Sequence, residues 1–238
     1  MTRRVITVER DLAGAARLLA EPFRVEMAAA GTFVVNVLSS PGAGKTTLLA
    51  ETARRWGDRV RCGVLVGDIA TDRDAQRLAP YVPVIQLTTG GACHLSPALV
   101  QRGWERWEDG TPEFLFIENV GNLVCPSSHD LGEHLRVCLL STTEGDDKPA
   151  KYPKAFRTSQ AMVISKVDLL PYLPFDPDAA SRDARAVQPA LDVLPVSALT
   201  GEGLDAWCEF LIDRRHAFLE GQVTDTVAEA GDGVGGGR

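Results

Sequence analysis

The sequence predicts a doubly wound α/β fold of three layers, with a mostly parallel sheet between two layers of helices. Three observations predict it. Continuous runs rich in Val, Ile, Leu and Phe recur along the 238 residues, as strands covered on both faces do. Helix-length segments of mixed polarity separate most of these runs, the alternation that βαβ units produce. A Gly-rich turn lies directly between the first strong run and a helix-forming stretch, where such folds place an anion-binding loop.

The elements follow in order. Residues 8–30 place Leu12, Ala16 and Leu19 at helical spacing, predicting an amphipathic helix packed on the sheet. Strands are expected at FVVNVL (33–38), VRCGVLVG (60–67), PVIQL (83–87), EFLFIE (113–118), LRVCLL (135–140), QAMVIS (160–165) and DVLPVS (192–197). After Gly203, LDAWCEFLIDRRHAFLE sets Leu204, Trp207, Phe210 and Leu211 on one side and closes the fold. From Gly221 the chain turns to VTDTVAEAGDGVGGGR, whose Gly and charge content predicts a disordered tail. The expected organisation is an N-terminal helical segment (1–30), one α/β domain (31–220) and a Gly-rich tail (221–238), a length that suits a single core.

Composition narrows the function classes. A net charge of -7 and a pI near 5.2 argue against a nucleic-acid partner, because neutralising phosphates needs a basic patch. No apolar run is long enough to span a membrane, and MTRRVITVERD lacks the apolar region of a secretory signal; the cytoplasm is the expected location. Five cysteines at positions 62, 93, 125, 138 and 208 are odd in number and irregular in spacing, so each reads as a core residue or a ligand rather than half of a disulfide.

The turn after the first strand is SSPGAGKTTLL, with the spacing of a phosphate-binding P-loop and Ser39 in place of its first Gly. Pro41, Gly42, Ala43, Gly44, Lys45, Thr46 and Thr47 would wrap the phosphates with backbone N–H groups. The following helix would offer its positive end to the same anion. Lys45 would bridge the β- and γ-phosphates, and the Thr46 hydroxyl would bind Mg²⁺. Asp68 and Glu118 emerge at carboxyl ends of strands, where a carboxylate can reach the metal and orient an attacking water, or simply cap the next turn. Asp72 and Asp74 read as a switch segment or as a solvated helix start.

Further on, one strand runs into SKVD and the next into SALTGEG. Asp168 would accept from the ring N1–H and exocyclic amine of guanine, a donor pair adenine does not present. Lys166 would lie along the base plane, and Ser197, Ala198 and Leu199 would offer backbone N–H to the guanine carbonyl. Ser165 stands where such motifs carry Asn; a hydroxyl lacks the paired donor and acceptor of a carboxamide, so a weakened tether between base loop and P-loop is expected.

Cys93 and His94 are adjacent in TTGGACHLSP, and Cys125 follows in ENVGNLVCPSSHD. Thiolate and imidazole suit Zn²⁺ and Ni²⁺. Cys62 and Cys138 lie in apolar strands and read as buried, whereas His129 and His134 read as polar surface residues that could join a metal site. Three ligands are one short of a closed tetrahedral site, leaving an open position or a place for ligands from a second subunit.

Together SSPGAGKTTLL, GDIATDRDA, TGGACHL, IENVGNLVCP, SKVDLLP and SALTGEGL resemble the hydrogenase nickel-incorporation GTPase family (HypB), over roughly residues 30–215. The resemblance implies a P-loop GTPase of the dimerising, SIMIBI type that slowly hydrolyses GTP to GDP. It implies work with a nickel metallochaperone partner to load the hydrogenase large subunit, and a homodimer promoted by GTP and metal. It also implies that Cys93, His94 and Cys125 bind nickel or zinc at the dimer interface. Gly121, between Glu118 and Cys125, would sense the γ-phosphate through its N–H and so move a metal ligand. An N-terminal CxxC-type nickel motif and a His-rich stretch, carried by some relatives, are absent from this sequence. Rival readings are a urease-type nickel GTPase, whose metal motif has Pro between Cys and His, a P-loop ATPase or kinase with structural cysteines, and a structural metal-binding dimer.

Overall fold

A computed structural model of the chain describes residues 20–69 and 71–232. Seven parallel strands form one sheet: β1 (Phe33–Ser39), β2 (Cys62–Asp68), β3 (Val84–Thr88), β4 (Phe114–Glu118), β5 (Leu135–Ser141), β6 (Ala161–Ser165) and β7 (Asp192–Val196). All seven predicted runs are present. Their spatial order is β3-β2-β4-β1-β5-β6-β7. The chain therefore winds first to one side of β1 and then to the other, and the loops after β1, β4 and β5 part at a switch point.

The strands read as unbroken apolar runs because helices cover both faces. Every residue of β1, β4, β5 and β6 is buried. On one face α2 (Lys45–Trp56) and α8 (Leu204–Asp232) pack Leu48, Leu49, Trp56, Trp207 and Leu211 against Val35, Val37, Val64 and Val137. The Trp207 indole donates to Thr52 Oγ1 at 2.9 Å, so its polar edge is satisfied inside that core. On the other face α1 (residues 20–29) and α4 (Pro97–Trp104) place Phe23, Met27 and Val100 over Val34, Leu65, Leu115 and Ile117. Beside them α6 (Pro153–Arg157) and α7 (Pro177–Val187) cover Cys138, Leu140, Met162 and Ile164 with Phe156, Ala180 and Ala184. The short helices α3 (Arg73–Leu78) and α5 (Lys148–Lys151) complete the set.

Two boundaries differ from the sequence reading or lie beyond view. Helix α8 continues through Asp232, past the Gly221 boundary that composition suggests. The segment VTDTVAEA contains no Pro, and its Ala and Glu favour helix. The final Gly-rich residues 233–238, and Leu12, Ala16 and Leu19 at the start, lie outside the described residues.

A candidate nucleotide and metal site at the strand ends

Strand β1 ends at Ser39 and α2 begins at Lys45, so five residues reverse the chain. Gly42 (φ 74°) and Gly44 (φ 98°) take left-handed backbone angles, which side chains disfavour. This turn aims N–H groups inward over the positive end of α2. Lys45 is buried, and its Nζ donates to Ser39 Oγ at 2.8 Å, while that hydroxyl donates to Ser40 O. Ser39 thus holds the ammonium at the mouth of the loop. Burial lowers the Lys45 pKa, against the opposing pull of Glu118 and Asp74.

Glu118 lies at the end of β4, in register with Val37 of β1, and is 3% exposed. Its Oε1 accepts from Thr46 Oγ1 at 2.7 Å. Its Oε2 is buried with no hydrogen-bond partner. Burial pushes the Glu118 pKa up to about 7, with Lys45 and Thr46 acting against the rise and the charges of Asp74 and Asp68 adding to it. Two neighbouring carboxylates thus act on Glu118 against a single ammonium, and its orphaned oxygen sits beside a Thr hydroxyl. A hard divalent cation with oxygen ligands fits that deficit. Asp68 also accepts from the Thr71 N–H at 2.8 Å, so it caps its own turn as well. Asp72 precedes α3 and Asp74 occupies its first turn, paired with Arg77 at 3.3 Å.

The SKVD segment meets the phosphate loop. Ser165 Oγ donates to Ala43 O at 2.7 Å, and Lys166 Nζ to Gly42 O at 2.8 Å. Ser165 thus ties the SKVD loop to the P-loop through one hydrogen bond. A hydroxyl needs only its single donor here, because the loop presents a carbonyl. Lys166 adopts φ 60°, which turns the chain so that its stem reaches the P-loop. Asp168 Oδ1 accepts from Ser197 Oγ at 2.5 Å, and Ser197 Oγ accepts from the Thr200 N–H at 3.1 Å. A cavity of about 250 Å³ opens between Gly44, Thr47, Lys166, Asp168, Ala198 and Leu199. Gly121 presses on the same loop from the far side: a Cβ there would stand 2.9 Å from Pro41 Cα.

The metal candidates gather on two neighbouring loops, after β3 and after β4. The Cys93 thiol is raised in pKa first by the neighbouring Cys125 thiol. Cys93 Sγ stands 3.9 Å from His94 Nδ1, close to the roughly 3.6 Å that sulfur and nitrogen span on a tetrahedral ion with ordinary bond lengths. Among the described residues, no three His, Cys, Asp or Glu side chains already converge on one point that could hold an ion. His129 stacks on His94 with centroids 3.8 Å apart, and its Nδ1 donates to Cys125 O at 2.9 Å. One ring therefore touches both loops; a His four residues after a candidate Cys was the only sequence signal for it. The His94 pKa is lowered by burial and by His129. His134 belongs elsewhere: it accepts from the Val34 N–H at 2.9 Å and packs on Phe33 and Phe218. Cys62 and Cys138 lie in strands and Cys208 on α8, their thiols raised by burial.

This geometry has counterparts. Residues 33–195 match the family model described as CobW/HypB/UreG, nucleotide-binding domain. The chain is 47% identical over 216 residues to hydrogenase maturation factor HypB of Escherichia coli K12, covering 90% of this chain and 74% of that protein. A crystal structure of HypB from Helicobacter pylori in complex with nickel has a TM-score of 0.82 at 35% identity, covering 85% of this chain and 96% of that one. A crystal structure of HypB from Archaeoglobus fulgidus has a TM-score of 0.79 at 34% identity, covering 85% and 99%.

Proposed function

Because the chain belongs to the CobW/HypB/UreG family, on its HypB branch, we propose that it hydrolyses GTP with magnesium and couples that cycle to nickel delivery during maturation of a nickel–iron hydrogenase. In this reading Asp168 accepts from the guanine edge, and the Lys166 stem lies along the base. Backbone N–H groups of the P-loop hold the phosphates. Lys45 leaves Ser39 to pair with the β- and γ-phosphates. Thr46 and Glu118, with Asp68 nearby, hold Mg²⁺. When bound, Mg²⁺ neutralises charge on the phosphate oxygens. Asp68 and Glu118 are also the carboxylates placed to orient the attacking water.

The cargo ion, nickel or zinc, is held by Cys93, His94 and Cys125. Their loops follow strands on the same edge as the phosphate site. The observation that carries the reading is the contact between those two loops, where the His94 and His129 rings stack with centroids 3.8 Å apart, with the second loop starting at Glu118 and passing Gly121 against Pro41. Loss of the γ-phosphate would release Gly121 and shift Cys125, changing metal affinity. By linkage the metal then changes nucleotide affinity by the same factor. Three donors leave room for a ligand from a second copy, so GTP and metal together favour a homodimer, and a nickel metallochaperone supplies the ion. The family context supports work in the cytoplasm.

The test is calorimetric titration of nickel and of zinc into purified protein with GDP and with a non-hydrolysable GTP analogue, alongside Cys93→Ala. Stoichiometric binding that depends on Cys93 and changes with nucleotide is expected. Binding indifferent to both would leave a guanine-nucleotide enzyme with structural cysteines.

A further inference from the structure

A chain of buried polar side chains runs under both metal loops. Asn36, Asn119, Glu133 and Arg136 are 0%, 1%, 9% and 7% exposed. Asn119 directly follows Glu118, the carboxylate bonded to Thr46. Its Oδ1 accepts from the Val120 N–H at 3.0 Å and from the Leu95 N–H at 3.4 Å; Leu95 is the residue after His94. Its Nδ2 donates to Asn36 Oδ1 at 3.3 Å, and Asn36 Nδ2 donates to Glu133 Oε1 at 3.2 Å. Glu133 accepts from Arg136 Nε at 2.6 Å. Arg136 then donates to His129 O at 2.7 Å and to Ser127 O at 3.4 Å, inside the loop that carries Cys125.

We infer that Asn119 is a positioning residue that transmits the state of the phosphate site to the Cys93–His94 loop, with Asn36, Glu133 and Arg136 extending the connection to the Cys125–His129 loop. The inference rests on the proposed coupling of GTP and nickel. Two N–H groups facing Oδ1 fix which way the Asn119 carboxamide points. A shift of Glu118 and Val120 therefore drags the acceptor of Leu95 with it, or leaves the N–H of that buried residue without a partner. Each link in turn is satisfied by the next, so the chain rearranges as a unit rather than bond by bond. It gives the first metal loop its own connection to the nucleotide, separate from the covalent path through Gly121 to Cys125.

The experiment uses the full chain, wild type and Asn119→Ala, with Ni²⁺ titrated in the GDP and GTP-analogue states and GDP affinity measured separately. Wild type should show a nickel Kd ratio between states in the range of roughly 5- to 150-fold. In Asn119→Ala the ratio should fall to about 2-fold or less, while nickel stoichiometry, the Cys93-dependent thiolate-to-nickel absorption band and GDP affinity are kept. Amide exchange across residues 93–96 should depend on nucleotide in wild type and not in the variant. Asn119→Ser, too short to reach both N–H groups, should behave alike and serves if the Ala variant fails to fold. A variant that binds nickel and GDP normally and keeps the full ratio overturns the role of Asn119 and leaves the coupling standing. A wild-type ratio of one overturns the coupling itself, and the role of Asn119 with it.

Discussion

Replacing Asp168 by Asn tests which base the cavity reads. The carboxylate is held at the cavity mouth by the Ser197 hydroxyl at 2.5 Å, so it is fixed before any nucleotide arrives. Guanine offers it two donors, and hydrogen bonds to a charged group contribute about 1.5–3 kcal/mol each. Losing both costs about 3–6 kcal/mol, which is roughly 10²- to 10⁴-fold in Kd. The Asn carboxamide turns one acceptor into a donor and faces it against a guanine donor. Xanthine, with a carbonyl in place of the amine, becomes the matched base. Fluorescent-nucleotide titrations with GTP, XTP and ATP give the three affinities for each protein. GTP should weaken by at least about 100-fold and XTP should gain, with ATP poor throughout. An Asp168→Asn protein that binds GTP as wild type does and XTP no better would refute the base assignment.

Four further outcomes follow from named contacts. Ser165→Ala orphans the buried Ala43 carbonyl at about 1–3 kcal/mol, so stopped-flow release of GDP should speed up by about 5-fold or more. Gly121→Ala drives a Cβ to 2.9 Å from Pro41 Cα and 3.1 Å from its N, backbone atoms that cannot swing aside. Overpacking of that kind costs about 1–3 kcal/mol, so GDP affinity should drop while nickel stoichiometry without nucleotide is kept. Glu118, pushed up to about 7 by burial, must ionise to hold Mg²⁺. Titrations of the nucleotide-bound protein should therefore show Mg²⁺ affinity rising between pH 6 and 8, and Glu118→Gln should flatten that rise. His134, lowered to about 4 by burial, takes up its proton later than in the unfolded chain, near 6.5. Stability is then full above about pH 6.5 and falls toward pH 4 by up to about 3 kcal/mol; urea midpoints for His134→Asn should lack that part of the slope.

The fold was legible because its signal is local. β1 is FVVNVLS, apolar at nearly every position, and only a strand with helices on both faces can bury such a run. The P-loop was legible for the same reason: Gly42, Gly44, Lys45 and Thr46 are contiguous, and their geometry follows from the turn they make. The helical extension to Asp232 was not, because composition weighs Gly and charge over a window, whereas a helix already nucleated by Leu204, Trp207 and Leu211 needs only the absence of a breaker to go on. The contact of Ser165 was not legible either. What it faces, a single carbonyl of Ala43, is decided by a loop far away in sequence.

The same distance in sequence hides the connections beneath the two loops after β3 and β4. Asn36 sits inside a largely apolar strand, Glu133 lies just before β5 and Arg136 within it; read locally, each is a polar residue interrupting a core pattern. Only the register of β1 between β4 and β5 explains them, because it stacks Asn36 between Asn119 and Glu133. A buried carboxamide or guanidinium is tolerable when every one of its groups finds a partner. The partners here are backbone N–H and C=O groups of the two loops that carry Cys93, His94 and Cys125. The polar residues that break the sheet's apolar pattern are thus the ones hydrogen-bonded to the loops above it, and they tie both loops to the strand that ends in Glu118.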